Sequence, residues 1–241
     1  MNEVIRQLNT RKSVRAYTNQ EIGKAEKDAI LMAAAQAPTA GNQQLYTILD
    51  ITDQAHKERL VETCDHQPMI AQAKMVLIFC ADCKKWYDAY LAVGCQTRKP
   101  GAGDLMLAVT DTMIAAQNAV TAAESLGIGS CYIGDIMENC EAQRELLGLP
   151  EYVVPVGMLI FGYPTDQQKS RPKPERVDQK YIVHENGYKP LSDKDLEDMW
   201  TPRSGERGYE AWMQAFCNRK YNSDFSREMT RSVDQYLDEF R

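Results

Sequence analysis

Apolar and polar residues alternate with a helical period near the start of the chain, and further on the apolar ones gather into short solid runs. Residues 2–9 and roughly 21–37 mix alanines with charged residues at helical spacing and predict two helices. After them APTAGNQQ (37–44) reads as a turn, from Pro38, Gly41 and Asn42. YTILDIT (46–52) alternates as a strand does, and AHKERLVETC (55–64) returns to the helical period. MVLIFCA (75–81), bounded by Lys74 and Asp82, and PVGMLIFGY (155–163) have the length and composition of buried strands.

The longest periodic segment is DLMLAVTDTMIAAQNAVTAAESLG, 104–127. Asp104 is the expected N-cap and Gly127 the expected left-handed stop. Its many alanines and few polar residues predict a closely packed helix, buried on most sides, at the centre of the fold or at an interface. From 164 onward PTDQQKSRPKPERV is too rich in Pro, Lys and Arg for a long regular element. A short strand from Tyr181 to His184, an exposed loop around Trp200 to Gly208 and a last helix near 226–240 are expected after it. Strands interleave with helices without a regular βαβ spacing, which predicts an α+β fold. One domain over 1–241 is expected, with a C-terminal extension from about 164 to 241 and no internal repeat.

Composition narrows the classes of function. Of the 241 residues 44% are hydrophobic and 26% charged, as in ordinary globular proteins, and the net charge is -6. An acidic balance argues against a general nucleic-acid or membrane-surface binder, which needs basic faces to meet phosphates. No apolar leader follows Met1 and no run of about 18 apolar residues occurs, so a cytoplasmic protein without a membrane span is expected. Seven irregularly spaced cysteines are expected to be reduced thiols.

HExxH, GxSxG and the Walker lysine loop are absent, and GIGSCYIG (127–134) lacks the dinucleotide-fingerprint spacing. With only His56, His66 and His184, no metal site is expected, and any reactive group would be a bound cofactor. Cys80-Ala-Asp-Cys83 has the spacing of a redox pair or half a zinc site, but no second pair complements it, so idle or buried thiols are expected.

RKSVR (11–15) concentrates Arg11, Lys12 and Arg15 in an acidic chain. In an extended segment Arg11, Ser13 and Arg15 would share a face, as a phosphate-holding set of donors would. Taken alone, the stretch reads more readily as a solvated surface. A second cluster, Lys169-Ser170-Arg171, repeats the chemistry in an irregular segment after a predicted core strand, where ligands often bind. The two clusters could converge on one anion.

An N-terminal helix, R-K-S-V-R, and A-P-T-A-G-N-Q-Q before a strand, taken in order, resemble the FMN-dependent nitroreductase and flavin reductase family. The likeness continues through Gln67 in HQP, ESLGIGSCYIG, PVGMLIFGYP and KSRPKP, and the tail with Tyr236 and Leu237 resembles the longer, NADPH-preferring branch. It implies a nitroreductase-like sheet flanked by helices, a homodimer with sites at the interface, and noncovalent FMN. Arg11, Ser13, Arg15, Lys169 and Arg171 would ring the phosphate, with Lys12 and Gln67 at the pyrimidine edge of the flavin. Thr39, Ala40 and Asn42 would approach from the partner subunit, and Tyr132, Ile133 and Gly134 would line the ring system.

Arg203 and Arg207, in an expected mobile loop with Gly205 and Gly208, would bind the 2′-phosphate of NADPH. The implied activity passes hydride from NADPH or NADH through FMN to a nitroaromatic, quinone or flavin in a ping-pong cycle, with no catalytic side chain nominated. Other reductive chemistry on the same flavin, such as dehalogenation or enone reduction, and a non-enzymatic FMN carrier or sensor are the alternatives. Residues 80–103 match no motif of the family.

Overall fold

The computed structural model describes residues 1–241, which fall into two compact units, Met1–Pro172 with Met229–Arg241, and Lys173–Glu228. The first is built on four strands, β1 (Tyr46–Asp50), β2 (Met75–Asp82), β3 (Gly129–Ile133) and β4 (Val153–Gly162), in the order β1-β2-β4-β3 with every pair antiparallel. This is the α+β arrangement that the interleaved pattern predicts.

The two solid apolar runs, β2 and β4, became the inner strands, and both their faces are covered. On one face Leu77, Phe79, Leu159 and Phe161 pack against α6 (Ala102–Ser125), through Ala115, Ala116 and Ala119. On the other, Val76, Ile78, Met158 and Ile160 meet Leu60 of α3 (Gln54–Thr63) and Ile70 of α4 (Met69–Gln72). Each large side chain sealed in this way contributes roughly 1.5–3 kcal/mol. The alanines let α6 approach the sheet closely, and nine of its residues are buried. Helices α1 (Glu3–Thr10), α2 (Lys24–Ala35), α5 (Lys84–Ala92), α7 (Cys140–Leu147) and α8 (Asp166–Ser170) complete this unit, and α11 (Asp224–Leu237) adds its residues from Met229 onward. There Ser232 Oγ donates to the Met137 carbonyl at 2.6 Å and accepts from the Cys140 amide at 2.9 Å, at the start of α7. Tyr236 and Phe240 are buried.

The second unit contains α9 (Asp193–Ser204) and α10 (Tyr209–Lys220). Trp200 and Trp212 stack with ring centroids 6.3 Å apart, and Trp212 and Phe216 at 5.0 Å. No helix is long and apolar enough to cross a membrane.

Some local expectations fail for physical reasons. Asp104 is not the N-cap of α6; Gly101 is, and the Asp104 carboxylate accepts its amide at 2.8 Å from the third helical position. Gly127 does take the left-handed conformation, φ 74°. No strand forms at Tyr181–His184, because no other strand is beside it to pair; Gln179–Tyr181 is a single 3-10 turn and Ile182 and Val183 stay exposed. The expected loop from Trp200 is helical as far as Ser204. Ser192 and Asp195 cap each other's amides at its start, and Gly205, φ 56°, ends it. Pro202 reads as a breaker but sits in the last turn, inside that helix. β3, α5, α7 and α10 are elements that the hydrophobic pattern did not single out.

Candidate functional site

Arg11 closes α1, its amide bonded to the Gln7 carbonyl at 2.8 Å, and the chain then runs extended along the edge of the sheet. Ser13 pairs in parallel with Ser130 of β3, and the Val14 amide donates to the Ser130 carbonyl at 2.9 Å. Further on Tyr17 bridges Pro164, and the Thr18 amide donates to the Tyr163 carbonyl at 2.8 Å. Two glycines allow this approach. A Cβ on Gly129 would lie 2.6 Å from Val14 Cγ2, and one on Gly162 would lie 2.6 Å from the Tyr17 ring. Gly129 and Gly162 are partners across the β3–β4 ladder, so the pair opens one shallow seat for both side chains. The Tyr17 hydroxyl also donates to the Val14 carbonyl at 2.9 Å.

The second basic cluster is tied to the first. Thr165 caps α8, and its amide reaches the Ala16 carbonyl at 3.3 Å. Gln168 Oε1 accepts from the Arg15 amide at 3.2 Å. Lys12 Nζ donates to the Lys169 carbonyl at 2.7 Å and to the Arg171 carbonyl. Expected at a flavin edge, Lys12 instead clamps the last carbonyls of α8, which have no intrahelical donor and attract a cation. The Lys169 and Arg171 side chains stay exposed, with Lys169 Nζ 3.1 Å from Asp166.

The Arg11, Ser13 and Arg15 side chains gather beside Cys131 of β3. Burial pushes its thiol up, and Arg15, Ser13 and Arg11 oppose that shift. Burial likewise pushes the Tyr132 phenol up to about 12, with Arg11 opposing. Arg11 Nε is buried without a hydrogen-bond partner, a cost that an arriving anion would relieve. Where β3 ends, Ile133 is buried, and a Cβ on Gly134 would meet nothing within 4 Å. Gly134 has φ -80°, which any residue adopts, so its backbone does not require glycine. An orphaned guanidinium nitrogen, converging cations and open space beyond a glycine fit a phosphate joined to a flat ring.

Thr39, Ala40 and Asn42 lie in a tight turn with Gly41 and Asn42 left-handed, φ 57° and 56°. Asp111, buried on α6, holds that turn from below, accepting the amides of Ala40 at 2.9 Å and Leu45 at 3.4 Å. Thr39 Oγ1 accepts the Gln44 amide at 3.2 Å. Gln67 stands in the turn after α3, its Nε2 donating to the Cys64 carbonyl at 3.1 Å. In the second unit Arg203 closes α9, over the Trp200 ring at 5.0 Å and donating to the Glu175 carbonyl at 3.2 Å, and Arg207 lies in the single 3-10 turn that follows. Cys80 and Cys83 are buried and free, and burial pushes both thiols up to about 12, the state of idle thiols.

Sequence reasoning missed Asp111, Cys131 and the seat made by Gly129 and Gly162. Asp111 alone left a signal, a carboxylate within an alanine-rich helix predicted to be buried.

The model of the Nitroreductase family matches residues 8–163. The chain is 38% identical over 194 residues to the oxygen-insensitive NADPH nitroreductase of Salmonella typhimurium strain LT2, covering 80% of this chain and 78% of that protein. It is 30% identical over 245 residues to an NAD(P)H FMN reductase of Bacillus subtilis strain 168, covering 99% and 92%. Among solved structures it is similar to NfrA2 of B. megaterium, with TM-score 0.83, 30% identity and 98% of each chain covered.

Proposed function

The chain belongs to the nitroreductase family, and from that premise we propose that it passes hydride from NAD(P)H through bound FMN to nitroaromatic, quinone or free-flavin acceptors. It is an NAD(P)H-dependent oxidoreductase with FMN as cofactor. The observation that carries this reading is the convergence of Arg11, Ser13 and Arg15, tied through Gln168 and Lys12 to the 169–171 segment, with Arg11 Nε unpartnered.

FMN, when bound, supplies the acceptance and return of hydride. The chain supplies everything that orients it. Arg11, Ser13, Arg15, Lys169 and Arg171 hold the phosphate through charge-assisted hydrogen bonds. Lys12 holds the Lys169 and Arg171 carbonyls, which leaves the exposed Arg171 side chain for the anion, while Lys169 would exchange its bond to Asp166 for it. Tyr132, Ile133 and Gly134 line one face of the ring system, and Gln67 donates to its polar edge. No side chain needs to move a proton for hydride transfer, so none is assigned as acid or base. The nicotinamide product leaves before the acceptor enters the same pocket, a ping-pong order.

Two copies form the active molecule, and Thr39, Ala40 and Asn42 reach the partner's cofactor. Exposed Val4, Ile5 and Leu8 on α1, with Met106 and Ile114 on α6, support a dimer, since they form apolar faces that water does not favour. Arg203 and Arg207 bind the 2′-phosphate of NADPH.

The test is anaerobic addition of NADPH or NADH to the purified yellow protein. Bleaching of the flavin bands, followed by recovery on adding a quinone, is expected. A bound flavin that neither nucleotide reduces would mark a carrier instead.

A further inference from the structure

The C-terminal segment carries a hydroxyl that belongs neither to the phosphate set nor to the ring lining. Ser232 of α11 is fully buried, and its Oγ donates to the Met137 carbonyl at 2.6 Å and accepts the Cys140 amide at 2.9 Å. We propose that Ser232 is a positioning residue for the flavin, holding the segment after Gly134 so that the end of β3 presents a fixed face to the ring. The proposal rests on the reading that FMN lies against Tyr132, Ile133 and Gly134, and it names the support beneath that face.

The local backbone shows why outside support is needed. β3 ends at Ile133, and Asp135–Met137 is a single 3-10 turn. It is closed by the Met137 amide on the Gly134 carbonyl at 3.1 Å and the Glu138 amide on the Asp135 carbonyl at 3.0 Å. Bonds of this kind have poorer geometry than those of an α-helix and hold a short turn weakly. The join to α7 is strained, since Asn139 is left-handed, φ 53°. Asn139 gives α7 no side-chain cap, its Nδ2 donating instead to the Thr63 carbonyl at 3.0 Å. The first amide of α7 therefore lacks the acceptor that a helix start calls for, and Ser232 supplies it. The proton of the same hydroxyl goes to Met137, so one side chain fastens both sides of the Glu138–Asn139 link.

The route to the ring face is continuous, from Ser232 Oγ to the Met137 carbonyl and from the Met137 amide to the Gly134 carbonyl. Ser232 is itself held from further along the tail. Tyr236, one turn on, is buried with the Arg144 guanidinium 4.9 Å from its ring centre. Glu239 accepts the Tyr152 amide at 3.0 Å and pairs with Arg144 at 2.6 Å, two contacts that lie outside residues 134–140.

That separation gives the experiment, a comparison of Ser232→Ala with Glu239→Gln. Each cuts one anchor of the tail, and each is expected to lower the melting temperature of the apoprotein by roughly 2–10 °C. FMN is titrated into each folded apoprotein well below its melt, and the visible spectrum of the bound flavin is recorded. In Ser232→Ala the FMN dissociation constant is expected to rise about 5- to 30-fold, because the backbone at Gly134 must be ordered again on binding. The shoulders of the flavin's long-wavelength band blur with it. Ser232→Cys, which keeps a weak donor and acceptor in place, falls between wild type and Ser232→Ala, and it carries the same comparison where the alanine variant does not fold. In Glu239→Gln affinity and spectrum stay at their wild-type values although the melting temperature falls. Wild-type affinity and spectrum in the Ser232 variants, or an equal change in Glu239→Gln, overturn the proposal and leave the FMN reading standing. A wild-type apoprotein that takes up no FMN overturns that reading and the proposal with it.

Discussion

Replacing Gly134 by Ala separates the stability of the protein from its grip on the cofactor. The residue has φ -80° and ψ -20°, and an added Cβ meets no atom within 4 Å. In the empty protein the change only restricts the unfolded chain and stabilises by about 0.4–1 kcal/mol. For a chain of this size that raises the melting temperature by roughly 1–4 °C. With the flavin seated over β3, the same methyl group intrudes on the ring, and overpacking of that kind costs about 1–3 kcal/mol. FMN affinity falls accordingly by about 5- to 150-fold. Thermal melting of the apoprotein and titration of FMN by fluorescence quenching read the two effects apart. Unchanged FMN affinity would refute the placement of the ring at Gly134. A destabilised apoprotein would refute the open space found there.

Three further outcomes follow from the same geometry. Arg11→Gln removes a cation whose Nε has no protein partner, so apoprotein stability changes by less than about 0.5 kcal/mol while FMN binding weakens about 10- to 150-fold, checked by melting and titration. Arg231 holds the Glu141 carboxyl at about 2, below the ordinary 4.5, so the pair stabilises the fold above about pH 4.5 and loses that contribution as pH falls towards 2. Both side chains are well exposed, so Arg231→Gln costs less than about 1 kcal/mol at pH 7, and denaturant melts should show the difference from wild type vanishing in acid. Of the seven free thiols only Cys95 and Cys217 are exposed, and a thiol-specific dye should label two quickly and five more only after denaturation; fast labelling of Cys80 or Cys83 would restore a redox role for that pair.

The inner sheet and α6 were legible in the sequence because burial on both faces leaves a solid apolar run, and close packing against a sheet leaves alanines. β3 was not. Gly129-Ser130-Cys131-Tyr132-Ile133 carries a glycine and a serine where a strand usually carries β-branched residues, and the glycine is explained by the segment lying on it. Val14 occupies the space over Gly129, and the Ser130 carbonyl receives Val14's amide. Helix α9 was hidden for a different reason. Pro202 weighs against a helix locally, but near the end of one it removes little, and the Ser192–Asp195 cap had already fixed the start.

The candidate site was legible as a list of residues but not as a mechanism of support. Alternate spacing put Arg11, Ser13 and Arg15 on one strip, and all three act on the Cys131 thiol. Spacing could not say what keeps the strip there. Three long-range devices do: the paired glycines under Val14 and Tyr17, Gln168 on the Arg15 amide, and Lys12 across the end of α8. Lys12 shows why this matters for function. Read alone, it is one more positive charge for a ligand, yet its ammonium is already engaged by two carbonyls. Its work is to hold the carbonyls of a segment more than 150 residues away, which ties the two basic stretches together.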